Sequence, residues 1–500
     1  MSVIAVDAGT TGVTALVVTE DGRVSGRGYQ EFRQYFPEPG WVEHLPEDIW
    51  QATLAASRQA LNQAGDPQVR SLGITNQRET AVVWDRATLA APRRAIVWQD
   101  RRTARICDAL REAGHEARVA SLTGLRLDPY FTGTKLTWLA ENDPVTSQGL
   151  TDGSLACGTV DSYLIARMTA GARHVTDASN ASRTLLFDIG TGQWSAELCE
   201  LLRVPRRALP EVVPSTGVVA RTDPGSFLGL DLPVAGIAGD QQAALFGQAC
   251  FSPGDTKCTY GTGSFVLANT GPEVVRSAAG LLSTVAWMDG SGRLTYALEG
   301  SVFVTGAAVQ WLRDGLGLLD HAAQSEALAR SVPDSGGVVF VPALTGLGAP
   351  DWDPDARGAL FGITRGTTRA HVVRATLEAI AFEVRDVADL MIQGGSGGGA
   401  VGGSQDGRVL RADGGASANN LLMQIQADQL QLPVERPVIG ETTALGAAFL
   451  AGLATGIWSS TDELAATWRL DRRFDPGPRD DAAYARWRRA VSRTKGWSTA

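Results

Sequence analysis

Two glycine-threonine turns, Asp7-Ala8-Gly9-Thr10-Thr11-Gly12 and Tyr260-Gly261-Thr262-Gly263-Ser264-Phe265, sit about half the sequence apart. The first lies between the apolar runs Val3-Ile4-Ala5-Val6 and Val13-Thr14-Ala15-Leu16-Val17-Val18. The second lies between Thr256-Lys257-Cys258-Thr259 and Phe265-Val266-Leu267-Ala268. Each reads as a β-hairpin. Tips of this kind offer backbone N–H groups and hydroxyls with no bulky side chain in the way, which suits phosphate oxygens. A single glycine hairpin usually just turns the chain. Two, one per half, point to a duplicated fold that grips a nucleotide from both sides.

Three junctions add carboxylates or paired glycines: Asp7 before the first tip, Gly239-Asp240 after Val234-Ala235-Gly236-Ile237-Ala238, and Asp413-Gly414-Gly415 after residues 409–412. Ligands of α/β folds bind at the carboxyl ends of strands. A carboxylate placed there can accept a proton or hold a hydrated divalent cation. Bland readings stand beside these: Asp240 as a helix N-cap and Gly414-Gly415 as a tight strand-to-helix turn.

The elements that must position these residues follow from pattern. In the first half the hairpin is followed by a strand over 28–35 and a helix Pro46–Ala64, with Pro46, Glu47 and Asp48 at the positive helix end. Strands over 71–76 and 81–85 come next, then helices over 101–113 and 133–142, and a helix 241–247 after strand 234–238. The second half repeats the scheme: hairpin, strand 294–298, helix 306–316, strand 338–342, a long helix 368–391, and strand 409–412 opening another helix. Helix Thr442–Ala454 is expected to close that half. Residues 394–407, almost all Gly and Ser, read as a flexible surface loop. The tail over 480–496 reads as a basic amphipathic helix packed back on a domain.

Composition bounds the rest. Five hundred residues exceed one core and imply two or three domains. A 44% hydrophobic and 20% charged composition is that of a soluble globular protein. The net charge of −9, with no basic block, argues against nucleic acid or anionic membrane as a partner. Five cysteines without CxxC spacing favour a reducing compartment. With no signal peptide and no run of about 18 apolar residues, the expectation is a cytoplasmic protein.

Longer segments carry a resemblance: Gly40-Trp41-Val42-Glu43-His44, Gly73-Ile74-Thr75-Asn76-Gln77-Arg78-Glu79-Thr80, Ala95-Ile96-Val97-Trp98-Gln99 and Asp128-Pro129-Tyr130-Phe131. Gly236-Ile237-Ala238-Gly239-Asp240-Gln241-Gln242 with the helix behind it, and Thr345-Gly346-Leu347-Gly348-Ala349-Pro350, continue it. With these the chain resembles, nearly end to end, the FGGY carbohydrate kinases of the actin-like ATPase superfamily. The resemblance implies an α/β fold of two ribonuclease H-like domains with a hinged cleft between them: 1–250, carrying the polyol site and first phosphate hairpin; 251–460, for the nucleotide; and a helical tail, 461–500. The implied reaction is transfer of the ATP γ-phosphoryl group, with Mg²⁺, to a primary hydroxyl of a small polyol, glycerol first. A homo-oligomer, dimer or tetramer, is expected.

By the same resemblance Asp240 is the catalytic base, and Asp7 with Asp240 forms the Mg²⁺ site. Arg78, Glu79, Tyr130, Asp240 and Gln241 bind the acceptor, with Trp98 and Phe265 as aromatic walls. Forked donors on Arg78 and an acceptor on Glu79 suit adjacent hydroxyls. Thr10, Thr11, Gly12 and Thr262 meet the phosphates, and Gly306, Gln310, Gly415 and Asn419 the adenosine side. Two departures stand out. Family members usually carry Ser at the position of Gly12 and Arg or Lys at that of Thr14, so a hydroxyl and a fixed cation are missing near the phosphates. Two other readings remain open at this point: a kinase for another small polyol or ketose, and a polyol-binding regulator without turnover.

Overall fold

The computed structural model describes residues 1–65, 67–277, 280–393 and 408–499. The Gly/Ser-rich stretch 394–407 lies outside the described residues. Two large sheets organise the chain, one in each half. In the first, strands run in the order Thr216–Arg221, Pro233–Gly239, Val69–Asn76, Ser2–Ala8, Gly12–Thr19 and Val24–Glu31. In the second, the order is Leu282–Met288, Leu294–Val302, Ser264–Gly271, Thr256–Tyr260, Leu410–Asp413, Val434–Pro437 and Leu470–Phe474.

Both sheets use one plan. A hairpin pairs its first strand antiparallel with its second, and that first strand runs parallel to strands from later in the half. Parallel pairing requires crossovers, and helices supply them, which is the α/β arrangement anticipated from the sequence.

The parallel register determines where chemistry can occur. Asp7 lies opposite Thr75 and Ala8 opposite Asn76, while Gly239 lies opposite Asn76 on the other side. Three neighbouring strands therefore end together. They deliver Asp7, then the Gln77-Arg78-Glu79 turn, then Asp240, along one edge. Helix Asp240–Gly247 starts at that edge, with Gly239 extended before it.

Helix Pro46–Ala64 begins and ends where its sequence signals, with Pro in the first turn and Gly65 in the left-handed conformation after it. It covers strands Gly12–Thr19 and Val24–Glu31. The strand expected over 28–35 lies instead at Val24–Glu31, with a separate short strand Gln34–Tyr35. The displacement has a steric reason: a Cβ on Gly26 or Gly28 would stand 2.1 or 2.0 Å from a carbonyl oxygen of that helix. Here glycines within a strand permit close packing against the helix.

Helix Thr442–Ala454 departs from expectation. It packs on the first sheet and on helix Asp240–Gly247, with Ala444, Ala447, Ala448 and Phe449 against Val3, Ala5, Leu16 and Val18. It does not close the second half. Two glycines make the contact possible: a Cβ on Gly446 would lie 1.8 Å from the Ala243 oxygen, and one on Gly247 2.0 Å from the Thr442 oxygen. The C-terminal helix Asp481–Thr494 packs back on the second half, burying Trp487, Ala490 and Val491. Among the described residues no helix is long and apolar enough to cross a membrane.

Candidate active site

Asp7 sits at the end of strand Ser2–Ala8, and its Oδ1 is buried without a hydrogen-bond partner. Burial first, and then the neighbouring Asp240 charge, push its carboxyl up to about 8. Two carboxylates with no cation between them repel each other, and a divalent ion relieves that repulsion. Mg²⁺ keeps most of its water and takes one or two protein carboxylates, so Asp7 and Asp240 fit it.

Asp240 opens its helix. Its Oδ1 accepts from the Gln241 backbone N–H at 2.7 Å and stands 3.1 Å from Arg78 Nε. Burial pushes the pKa of its carboxyl up from the ordinary value, while Arg78 and Lys257 pull the other way. The N-cap reading does not hold: Gly239 occupies the cap position, Asp240 is the first helical residue, and its side chain makes no cap bond and keeps an edge towards solvent.

Arg78 is held on all sides. Its Nη1 donates to Glu299 Oε2 at 2.5 Å and to Gln242 Oε1 at 3.2 Å. Its Nη2 donates to Glu299 Oε1 at 3.0 Å and to the Tyr130 hydroxyl at 3.4 Å. Glu79 follows at φ +63, a left-handed conformation that a buried glutamate adopts only when its surroundings impose it. Thr132 Oγ1 and Lys135 Nζ both donate to its carbonyl at 3.0 Å, and Arg183 Nε donates to its carboxylate at 2.8 Å. That strain turns the Glu79 side chain towards the same space as Arg78.

The aromatic walls connect the two hairpins. Trp98 Nε1 donates to Thr10 Oγ1 at 2.9 Å, its ring meets Tyr130 edge-on at 5.6 Å, and Phe265 stands 6.4 Å away on the far side. Phe265 directly follows the second tip, so Trp98 touches one tip and faces the strand of the other. Gln241 Oε1 accepts from Lys257 Nζ at 2.5 Å, which ties the acceptor-side helix to the second hairpin.

On the second half a cavity of about 590 Å³ opens beside the second tip. Thr262, Gly306, Gln310, Gly415 and Asn419 all line it. Backbone N–H groups of Thr305 and Ala307 donate to the Thr262 carbonyl, docking the tip on the start of helix Gly306–Asp314. Asn419 also caps helix Asn420–Leu430, accepting from Leu422 N at 3.0 Å. Gly414, at φ +84 and pressed on Tyr260, is the glycine the turn requires; Gly415 faces open space. Asp413 is buried and accepts from Gln248 and Thr442, so it ties the halves together and does not reach the cavity.

The departures at the first tip have a structural counterpart. A Cβ on Gly12 would stand 2.8 Å from the Gln30 backbone oxygen and 2.8 Å from the Tyr29 hydroxyl. Tyr29 pairs with Thr14 across the strands, and Thr14 with Asp7. Tyr29 therefore occupies the space that a residue larger than glycine at 12 needs.

Sequence reasoning did not single out Glu299, Arg183, Gln242 or Lys257. One signal was present: Glu299 is a charge inside the otherwise uncharged strand Leu294-Thr295-Tyr296-Ala297-Leu298-Glu299, and a buried charge needs a partner.

The comparisons agree on a family. The N-terminal domain model of the FGGY family of carbohydrate kinases matches residues 2–247, and the C-terminal domain model matches residues 256–455. Glycerol kinase 2 of Thermotoga maritima is 52% identical over 99% of both chains. The glycerol kinase of Aromatoleum aromaticum is 54% identical, again over 99% of both. The crystal structure of Plasmodium falciparum glycerol kinase with ADP superimposes with a TM-score of 0.88 at 34% identity, covering 99% of this chain and 98% of that one.

Proposed function

This chain belongs to the FGGY family of carbohydrate kinases, and from that premise we propose that it phosphorylates glycerol to glycerol 3-phosphate with ATP. The observation that carries the reading is the meeting of Asp7, Arg78 and Asp240 at one sheet edge, with Asp240 3.1 Å from Arg78. Full-length identity above half with glycerol kinases supports glycerol as the acceptor.

In this reading adenosine occupies the 590 Å³ cavity and the phosphates lie between the hairpin tips. Arg78 and Glu79 orient vicinal hydroxyls of glycerol, and Trp98 and Phe265 flank its carbons. Tyr130 and Gln241 complete the acceptor side. Asp240 accepts the proton of the attacking hydroxyl as its oxygen bonds to the γ-phosphorus and the bond to the ADP oxygen breaks. That proton leaves late in a loose transition state, so a carboxylate suffices without a strongly raised pKa. Asp7 and Asp240 would hold Mg²⁺, which would supply positive charge to neutralise the phosphates. Closing the halves excludes water from the phosphoryl group and limits hydrolysis.

Five free cysteines, all buried, accord with the proposed cytoplasmic setting. The test is steady-state ADP release with Mg·ATP over glycerol, other small polyols and ketoses. Glycerol is expected to give the highest kcat/KM. A ketose that outperforms it, or a bound polyol without turnover, would replace this reading.

A further inference from the structure

Glu299 lies fully buried in strand Leu294–Val302 of the second sheet, yet its arginine partners belong to the first half, and only Ser301 Oγ, at 3.4 Å, donates to it from its own strand among the described residues. Both carboxylate oxygens receive Arg78 N–H groups, at 2.5 and 3.0 Å, and Oε1 also receives Arg183 Nη2 at 2.9 Å. Arg183, itself fully buried, donates its Nε to Glu79 at 2.8 Å. A chain of charge-assisted bonds therefore runs Arg78, Glu299, Arg183, Glu79, and its two ends are the side chains that would face the acceptor. Burying a lone carboxylate costs several kcal/mol, so such a group persists only where paired. Arg183 and Arg78 outweigh that burial and hold Glu299 down at about 2.

The geometry restricts motion. A two-oxygen grip fixes both position and plane of the Arg78 guanidinium. With Glu299 uncharged, that grip weakens and the guanidinium is drawn towards Asp240, the carboxylate nearest its Nε. Glu79 would keep Arg183, but Arg183 would lose its anchor.

We propose that Glu299, supplied by the second half and coupled through Arg183, is a positioning residue that holds Arg78 and Glu79 in the mutual orientation required by two adjacent acceptor hydroxyls. The proposal rests on the polyol reading above. Because Glu299 faces the acceptor pair and not the nucleotide cavity, its loss acts on one substrate alone.

The experiment uses full-length Glu299→Gln and Glu299→Asp, with glycerol and ATP varied separately. Glu299→Gln is expected to raise the glycerol KM by about ten- to a hundredfold, the scale of lost bonds to a charged group. The ATP KM should move by less than about threefold, well below the effect of one lost charged bond. Glu299→Asp keeps the carboxylate and is expected to restore part of the glycerol affinity. A purely structural role would instead lower melting temperature and move both KM values together, which overturns the proposal, as does an unchanged glycerol KM. If Glu299→Gln does not fold, Arg183→Lys makes the same comparison while retaining a positive charge. A wild-type enzyme inactive on glycerol would overturn the polyol reading and the proposal with it. An active wild type with an unmoved glycerol KM in the variants overturns the proposal alone.

Discussion

Asp240 Oδ1 and Arg78 Nε stand 3.1 Å apart at the end of two neighbouring parallel strands. One supplies a proton acceptor and the other a fixed cation that would orient the hydroxyl losing that proton. Asp240→Asn keeps the shape and a carbonyl oxygen near Arg78 but removes basicity. Turnover should fall by about 100- to 10,000-fold, the usual range for a positioned base. Glycerol affinity, measured by equilibrium binding, should stay near wild type. Near-normal turnover would take the role of base away from Asp240.

Asp7 carries a cost that its function explains. Its carboxyl is pushed up to about 8 by burial and by Asp240, with Oδ1 lacking a partner. Asp7→Asn removes this repulsion, so the unliganded variant should melt at a higher temperature, a gain on the order of 1 kcal/mol or more. Turnover with Mg·ATP should collapse in the same variant. A lower melting temperature would contradict the repulsion, and retained turnover would contradict the metal role.

Much of this is legible in the sequence. Pro46, Glu47 and Asp48 mark a helix start that the structure keeps. Both hairpins form where glycine and threonine interrupt apolar runs. What local pattern cannot encode is the partner of a buried surface. Helix Thr442–Ala454 is apolar on every side, and nothing in its sequence distinguishes one sheet from the other as the surface it covers. Glu299 has the same character: its strand announces burial, but its arginine partners lie 116 and 221 residues away. The bounds of strand Val24–Glu31 are hidden for a related reason, since the close approach of helix Pro46–Ala64 that Gly26 and Gly28 permit is not written in local pattern.

Gly12 gives the third prediction. Gly12→Ser places a Cβ 2.8 Å from the Gln30 backbone oxygen, which cannot swing aside as a side chain can. Overpacking of this kind typically costs about 1–3 kcal/mol. The variant should melt earlier and show a raised ATP KM, because the strain falls on the first tip. Combining it with Tyr29→Ala should recover only part of the loss, since the backbone contact remains. Full recovery would assign the constraint to Tyr29 alone.

Asp161 provides a pH test far from the reacting groups. It lies buried at the start of helix Val160–Met168 and accepts from Thr159 Oγ1 at 2.5 Å and Thr176 Oγ1 at 2.7 Å. Burial raises it to about 7; the two threonine bonds oppose that shift, and Asp177 adds to it. The folded state therefore binds this proton more tightly than the unfolded chain, whose carboxyl titrates near the ordinary value of 3.8. Its contribution to stability is full below about pH 4 and falls as pH rises through the window up to about 7. The slope is at most about 1.4 kcal/mol per pH unit. Asp161→Asn keeps two polar atoms for the threonines and does not titrate. The melting temperature of the variant relative to wild type should climb steadily from pH 4 to pH 7 and level off above. A difference independent of pH would mean that Asp161 is ionised in the folded protein throughout, with the threonine bonds outweighing its burial.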